Sequence, residues 1–182
     1  MSHTTRLVTA EELEHFPEDD YRSELVKGRL IRMSPVGWEH GGSVVQLIAM
    51  MSRYLADHPL GVIRTEVGFR LQTNPDTVRA PDIAFVRRER IPALQRKGFV
   101  HGAPDLVIEV LSPDDRPTEM REKLDDYFRA GVAVVVVVDP HETIATIHRP
   151  PAAPIVVRGE NAVLEIGEPI PGFTCTLGQI FK

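Results

Sequence analysis

Pro104-Asp-Leu-Val-Ile-Glu-Val-Leu-Ser-Pro113 places one carboxylate, Glu109, inside an otherwise apolar run from Leu106 to Leu111. A strand that is apolar at consecutive positions is expected to be covered on both faces. An ionised carboxylate in such a strand needs a cation or several hydrogen-bond donors, because burying it alone is costly. The bland account is a salt bridge to an arginine, or a strand end less buried than its composition suggests. The functional account is a charge kept for chemistry.

The residues that follow give the strand its setting. Thr118 to Ala130 places Met120, Leu124, Tyr127 and Phe128 on one helical face, and Gly131 stops the helix. Val132 to Asp139 is a second apolar strand. A strand–helix–strand run from Leu106 to Asp139 predicts a parallel pair with a right-handed crossover. Upstream, Val44, Leu47, Ile48, Met51 and Leu55 mark one face of a helix over 39–58, ended by Pro59 and Gly61. Val62 to Gln72 and Thr77 to Arg87 flank the turn Thr73-Asn-Pro-Asp76 and predict one antiparallel hairpin. A charged, irregular stretch is expected from Arg87 to Gly102.

At the N-terminal end, Thr9-Ala-Glu-Glu12 fits a capping box before a short helix from Ala10 to about Phe16. Pro17 and Glu18-Asp-Asp20 then break the helix. Tyr21 to Met33 is expected as an extended pair turning at Lys27-Gly28. At the other end, Ile144–His148, Ile155–Arg158 and Val163–Ile166 are expected as short strands of an antiparallel patch. The fold class is therefore α/β: a central mixed sheet flanked by helices, with antiparallel additions at both ends. A single domain is expected over 1–182, its core at about 38–140.

The bulk properties agree. The 182 residues carry 42% hydrophobic and 26% charged side chains, ordinary for a globular protein. One cysteine, Cys175, excludes an intrachain disulfide and a thiolate zinc site. The first nine residues lack the pattern of a signal peptide, and the longest apolar run, Val132 to Val138, is too short to span a bilayer. A cytoplasmic location is the expectation. The net charge of −5 argues against non-specific coating of nucleic acid and leaves room for a local basic patch.

Glu109 needs a partner carboxylate if it is to hold a metal. Asp105 lies on the same strand about 13 Å away, too far to share an ion. Asp82, in Pro81-Asp82, lies in a neighbouring strand, where cross-strand side chains approach to about 5 Å. Lys123 borders the apolar stripe of its helix and can direct its ammonium toward the strand ends, or can lie on the surface paired with Glu119. Glu24 and His40 are candidate supporting residues. The basic segment Arg87, Arg88, Arg90, Arg96 and Lys97 follows the Asp82 strand and suits phosphate contact, with Arg87, Arg88 and Arg90 as candidate DNA-binding residues. Walker-type and dinucleotide glycine loops, a Gly-x-Ser-x-Gly elbow and a His-x-x-x-His pair are all missing.

Taken together, Glu24-Leu-Val-Lys-Gly28, Ala80-Pro-Asp-Ile-Ala84, Pro104 to Pro113, Lys123 with Tyr127 and Gly131-Val132, and Val136 to Pro140 resemble the PD-(D/E)XK nuclease superfamily. Within it the chain resembles a large bacterial family of uncharacterised restriction-endonuclease-type proteins, from Tyr21 to Pro171-Gly172. The resemblance implies a metal-dependent endonuclease that hydrolyses DNA phosphodiester bonds, with Asp82, Glu109 and Lys123 catalytic. It implies Mg²⁺ or Mn²⁺ held by Asp82, Glu109 and the carbonyl of Val110, an acidic residue donated by Glu24, and a homodimer. The superfamily's lysine would stand at Leu111, two residues after Glu109, so its role passes to Lys123. The alternative is a degenerate nuclease fold that serves as a binding or assembly module. Two adjacent carboxylates repel each other without a cation, so Asp82→Asn is expected to stabilise the metal-free protein.

Overall fold

The computed structural model describes residues 6–16, 22–93 and 97–182. The expected break at Pro17 to Asp20, the strand start at Tyr21 and the basic Arg96 lie outside them. Helix α1 (Ala10–Glu14) starts at Thr9 with both arms of the capping box in place. Strands β1 (Arg22–Val26) and β2 (Arg29–Met33) turn at Lys27 and Gly28, whose φ angles of 51° and 75° match the tight mirror-image turn of a twisted hairpin. Helix α2 (Trp38–Asp57) buries Leu47, Met51 and Leu55, the face predicted by their spacing.

The structure corrects the single hairpin expected over 62–87. Each arm is cut in two, giving β3 (Gly61–Arg64), β4 (Phe69–Gln72), β5 (Thr77–Arg79) and β6 (Ile83–Arg87). β4 pairs with β5 in a five-stranded sheet ordered β2-β1-β5-β4-β7, with β7 at Val100–His101, while β3 pairs with β6 in a six-stranded one. Proline has no N–H for a ladder, and the cut on the return arm falls at Pro81. Its carbonyl instead accepts from Glu66 N–H at 3.1 Å, which pins the crossing point. Asp82 thus stands where the chain passes from one sheet to the other.

A 3-10 turn (Arg88–Ala93) and the short β7 (Val100–His101) occupy the stretch expected to be irregular. β8 (Leu106–Val110), α3 (Pro117–Arg129) and β9 (Val134–Asp139) form the expected unit, with β8 and β9 parallel from Leu106↔Val134 to Val110↔Val138. Proline suits the first turn of α3, and Gly131 follows its end at φ 96°. β10 (Ile144–His148) and β11 (Ile155–Arg158) extend the larger sheet, ordered β11-β10-β9-β8-β6-β3. β12 (Val163–Glu165) leaves that patch to pair with β13 (Thr174–Thr176), and α4 (Leu177–Ile180) follows.

All five residues of β8 are buried, as the apolar run predicted. Ile108 and Val110 pack with Leu47 and Met51 of α2, whereas Val107 packs with Tyr127 of α3. The larger sheet therefore carries α2 on one face and α3 on the other, and Glu109 shares the α3 face by alternation. Each fully buried branched or aromatic side chain in these layers contributes on the order of 1.5–3 kcal/mol.

The smaller sheet is tied to α3 by charge. Arg79 Nη1 donates to Glu24 Oε2 at 2.9 Å, and its Nε and Nη2 donate to Asp126 Oδ2 at 3.0 and 2.7 Å. Glu24 Oε1 accepts from Ala80 N–H at 2.8 Å, and Glu24, Arg79 and Asp126 are all buried. Removing the central cation strands two buried carboxylates. Arg79→Met should cost about 3–5 kcal/mol in urea unfolding; a loss below about 1 kcal/mol, the scale of an exposed pair, would mean that this triad does not hold the sheet to the helix.

Candidate metal and nucleic-acid site

β6 and β8 are antiparallel with Ile83 opposite Ile108, and one further step along that register sets Asp82 opposite Glu109. The two carboxylates are cross-strand neighbours, as the sequence suggested. Both are buried, at 6% and 2% exposure. Asp82 Oδ2 accepts from Val110 N–H at 2.8 Å, which replaces a ladder bond at the sheet crossing. Its Oδ1 faces His40 Nε2 at 3.3 Å and Arg22 Nη1 at 3.4 Å.

Glu109 is held from the covering helix. Lys123 Nζ donates to Oε2 at 2.9 Å and Tyr127 OH donates to Oε1 at 2.5 Å. The two donors are four residues apart on α3 and so share its inner face. Lys123 is 19% exposed and paired with Glu109, not with Glu119 on the surface. The cation that meets Glu109 is this lysine, where the bland account had an arginine.

The titration behaviour follows from this crowding. Burial pushes the Glu109 carboxyl above its ordinary value, the Lys123 charge opposes that, and the charges of Asp82 and Glu24 add to the rise. Asp82 is also raised by burial, but His40, the Val110 N–H and Lys123 outweigh this and hold it below the usual carboxylate range. For Lys123, burial is outweighed by Glu109, Glu24 and Asp82, so it stays well above the ordinary lysine value and keeps its proton. The Tyr127 hydroxyl is raised by burial first and then by Glu109, and remains a neutral donor.

His40, in the first turn of α2, bridges the site outward, with Nδ1 at 3.2 Å from Ser112 Oγ. Glu24 contributes its field while its oxygens are committed to Arg79 and Ala80. Asp82, Glu109, Lys123, His40 and Arg22 line one cleft of about 570 Å³, which Arg32 and Arg116 also border. Asp105, set aside by distance, instead accepts from Arg87 N–H at 2.9 Å and pairs with Arg90 at 2.9 Å.

Arg87, Arg88 and Arg90 of the basic segment are not brought to the cleft. Arg87 is five residues along β6 from Asp82, about 16 Å of strand. It pairs with Glu168 at 2.8 Å, and Arg90 reaches Ala103 O at 2.7 Å. Arg88 follows Arg87 at this same end of β6 and is exposed. Sequence reasoning missed Arg22, Arg79 and Asp126. The one available signal was Asp126 beside Tyr127 at the edge of an apolar stripe.

Comparison with known proteins agrees with this architecture. No curated protein matches the chain. A crystal structure described as "a putative nuclease belonging to DUF820 from Anabaena variabilis ATCC 29413" superposes with a TM-score of 0.82, covering 96% of this chain and 97% of that one at 21% identity. At that identity the match speaks for the fold alone. The family model named Uma2, described as "Putative restriction endonuclease", matches residues 10–178. The chain therefore belongs to the Uma2 family, with the restriction-endonuclease-like fold of the PD-(D/E)XK superfamily.

Proposed function

We propose that this protein is a Mg²⁺- or Mn²⁺-dependent deoxyribonuclease, acting in the cytoplasm as a symmetric homodimer. The observation that carries the reading is one cleft lined by Asp82, which accepts from Val110 N–H at 2.8 Å, and by Glu109 with the Lys123 ammonium 2.9 Å from it.

The donor set fits such an ion in a specific way. Among the described residues, no three His, Cys, Asp or Glu side chains gather as a ready-made cage. Glu24, the third carboxylate nearby, is spent on Arg79 and Ala80. Two carboxylates are too few for a closed calcium or zinc site. They suit Mg²⁺, which keeps several waters and binds through one or two carboxylates plus substrate phosphates. The raised Glu109 agrees with this, since burial first and the charges of Asp82 and Glu24 next disfavour its ionised form, and a bound cation would offset both. Asp82 and Glu109 would hold the ion, with the Val110 carbonyl completing the set. When bound, Mg²⁺ supplies Lewis-acid polarisation of the phosphodiester and lowers the pKa of a coordinated water.

The chain's own residues then divide the remaining work. Lys123, permanently protonated, stabilises charge developing on the phosphate and is unsuited to act as a base. Tyr127 fixes the Glu109 rotamer from the buried side, and His40 with Val110 N–H fixes Asp82. Arg22, Arg32 and Arg116, on the cleft border, take the phosphate contacts once assigned to Arg87, Arg88 and Arg90.

Lys123→Ala is a poor probe, because it would strand the buried Glu109. Lys123→Arg keeps the charge and moves its position. It should fold normally and lose on the order of a hundredfold in DNA cleavage. Undiminished cleavage would remove Lys123 from the chemistry. Cleavage should require Mg²⁺ or Mn²⁺ and stop in EDTA; a protein that never cleaves DNA with either metal is a binding module on a nuclease fold.

The electrostatic strain of the metal-free protein sits on Glu109, which corrects the expectation for Asp82→Asn. Asp82 is held low, so its charge favours the fold, and Asp82→Asn should lower stability in EDTA. A raised carboxyl costs stability above its folded pKa, and the cost falls away as pH drops toward the ordinary carboxylate range. Glu109→Gln keeps an oxygen for Tyr127 but leaves the largely buried Lys123 ammonium without its carboxylate, so its thermal midpoint in EDTA should fall below the wild-type value. Mg²⁺ should raise the wild-type midpoint and leave that of the variant unchanged. An equal Mg²⁺ shift in both proteins would show that Glu109 does not hold the ion.

A further inference from the structure

A second pocket, of about 610 Å³, adjoins the cleft and shares His40, Ser112 and Asp115 with it. Its volume is in the range of small-molecule sites. Trp38, Leu111, Pro113, Pro117 and Pro140 give it apolar walls. Trp38, in the first turn of α2, is 95% exposed, more than any other large hydrophobic residue described. The helix does not need it for packing, since α2 buries the face of Leu47, Met51 and Leu55. Side chains at Gly37, Gly41 and Gly42 would meet nothing within 4 Å, so the surroundings of the indole are open.

The charges of the two cavities differ. The cleft mixes Arg22, Arg32, Arg116 and Lys123 with Asp82, Glu109, Asp114, Asp115 and Glu119, whereas the pocket carries Glu39, Asp115, Asp139 and Glu142 with no arginine or lysine. A phosphate would be held by the cations of the first and repelled by the second. A planar apolar group with amino donors on its edge fits the second, because carboxylates accept from exocyclic amines and an indole stacks on a π-face. We propose that the Trp38 pocket is a base-binding site that takes an unpaired nucleobase beside the phosphodiester lying over Asp82 and Glu109. The substrate class is then single-stranded or locally unpaired DNA, since bases inside a duplex are stacked on both faces and cannot enter. This rests on the nuclease reading and adds the form of the substrate to it.

Trp38 is the only tryptophan in the chain, so its emission reports this pocket alone. The full chain, in EDTA at low salt, is titrated with a short mixed-sequence deoxyoligonucleotide and with its blunt duplex. The single strand should quench the emission to saturation and the duplex should not. Trp38→Ala should weaken single-strand binding on the order of tenfold, and Trp38→Phe should restore part of it. Equal quenching by the duplex, or unchanged single-strand affinity in Trp38→Ala, overturns the proposal. Emission that changes on dilution of the protein alone also overturns it, assigning Trp38 to contact with a second copy. Mg²⁺-dependent cleavage of DNA without any response at Trp38 sinks the base pocket and leaves the nuclease intact. Failure to bind or cleave any DNA sinks both.

Discussion

A carboxylate buried in a central strand fixes the rest of this molecule. Glu109 lies in β8 between two helical layers, where a lone charge is not tolerated. Its donors, Lys123 and Tyr127, come from the helix that covers that face, so the helix must sit in one register. Rotating α3 by one residue, about 100°, would carry both donors away. The first turn at Pro117 and the stop at Gly131 bound the helix so that this register is kept. Sheet, helix and site are set by one interaction.

The next residue on α3 extends the constraint. Asp126 precedes Tyr127 and points to the other side of the same surface, where Arg79 clamps it to Glu24. Helix α3 thereby joins both sheets, through Glu109 to the larger and through Arg79 to the smaller. Asp82 falls between them, at the crossing forced by Pro81. Such ion pairs add little net stability over apolar packing, because desolvation consumes most of the attraction. What they supply is position: four carboxylates within one region, each with assigned donors, and two of them facing a cleft.

Much of this was legible in the chain because burial on both faces writes contiguous apolar runs. β8, α3 and β9 stand where Leu106–Leu111, the Met120–Phe128 stripe and Val132–Asp139 put them, and Glu109 stood out as the one charge in its strand. The hairpin over 62–87 misled because alternation records which face of a strand is buried but not which sheet it joins. Arg79 passed unnoticed for a related reason, since one charge in a short strand looks like its wet side. β13 is three residues long and pairs with β12 across eight intervening residues, too little for a local signal. Arg87 and Arg90 were placed beside Asp82 by adjacency in sequence, but a strand turns five residues into the width of the sheet.

In the proposed site the lysine has moved in sequence and stayed in place. Residues two apart in a strand share a face, so a lysine at position 111 would stand on the face of Glu109. Leu111 indeed packs with Tyr127, Leu124 and Met120 on that side. Lys123 enters the same layer from α3, so the charge has passed from the floor of the site to its lid without changing sides. Leucine at 111 completes the apolar contact that seats α3, and the seated helix delivers the ammonium. A cation on the strand would be positioned by the sheet alone. Here it is positioned by the packing of helix on sheet, and any change that loosens that packing moves Lys123 before it moves either carboxylate.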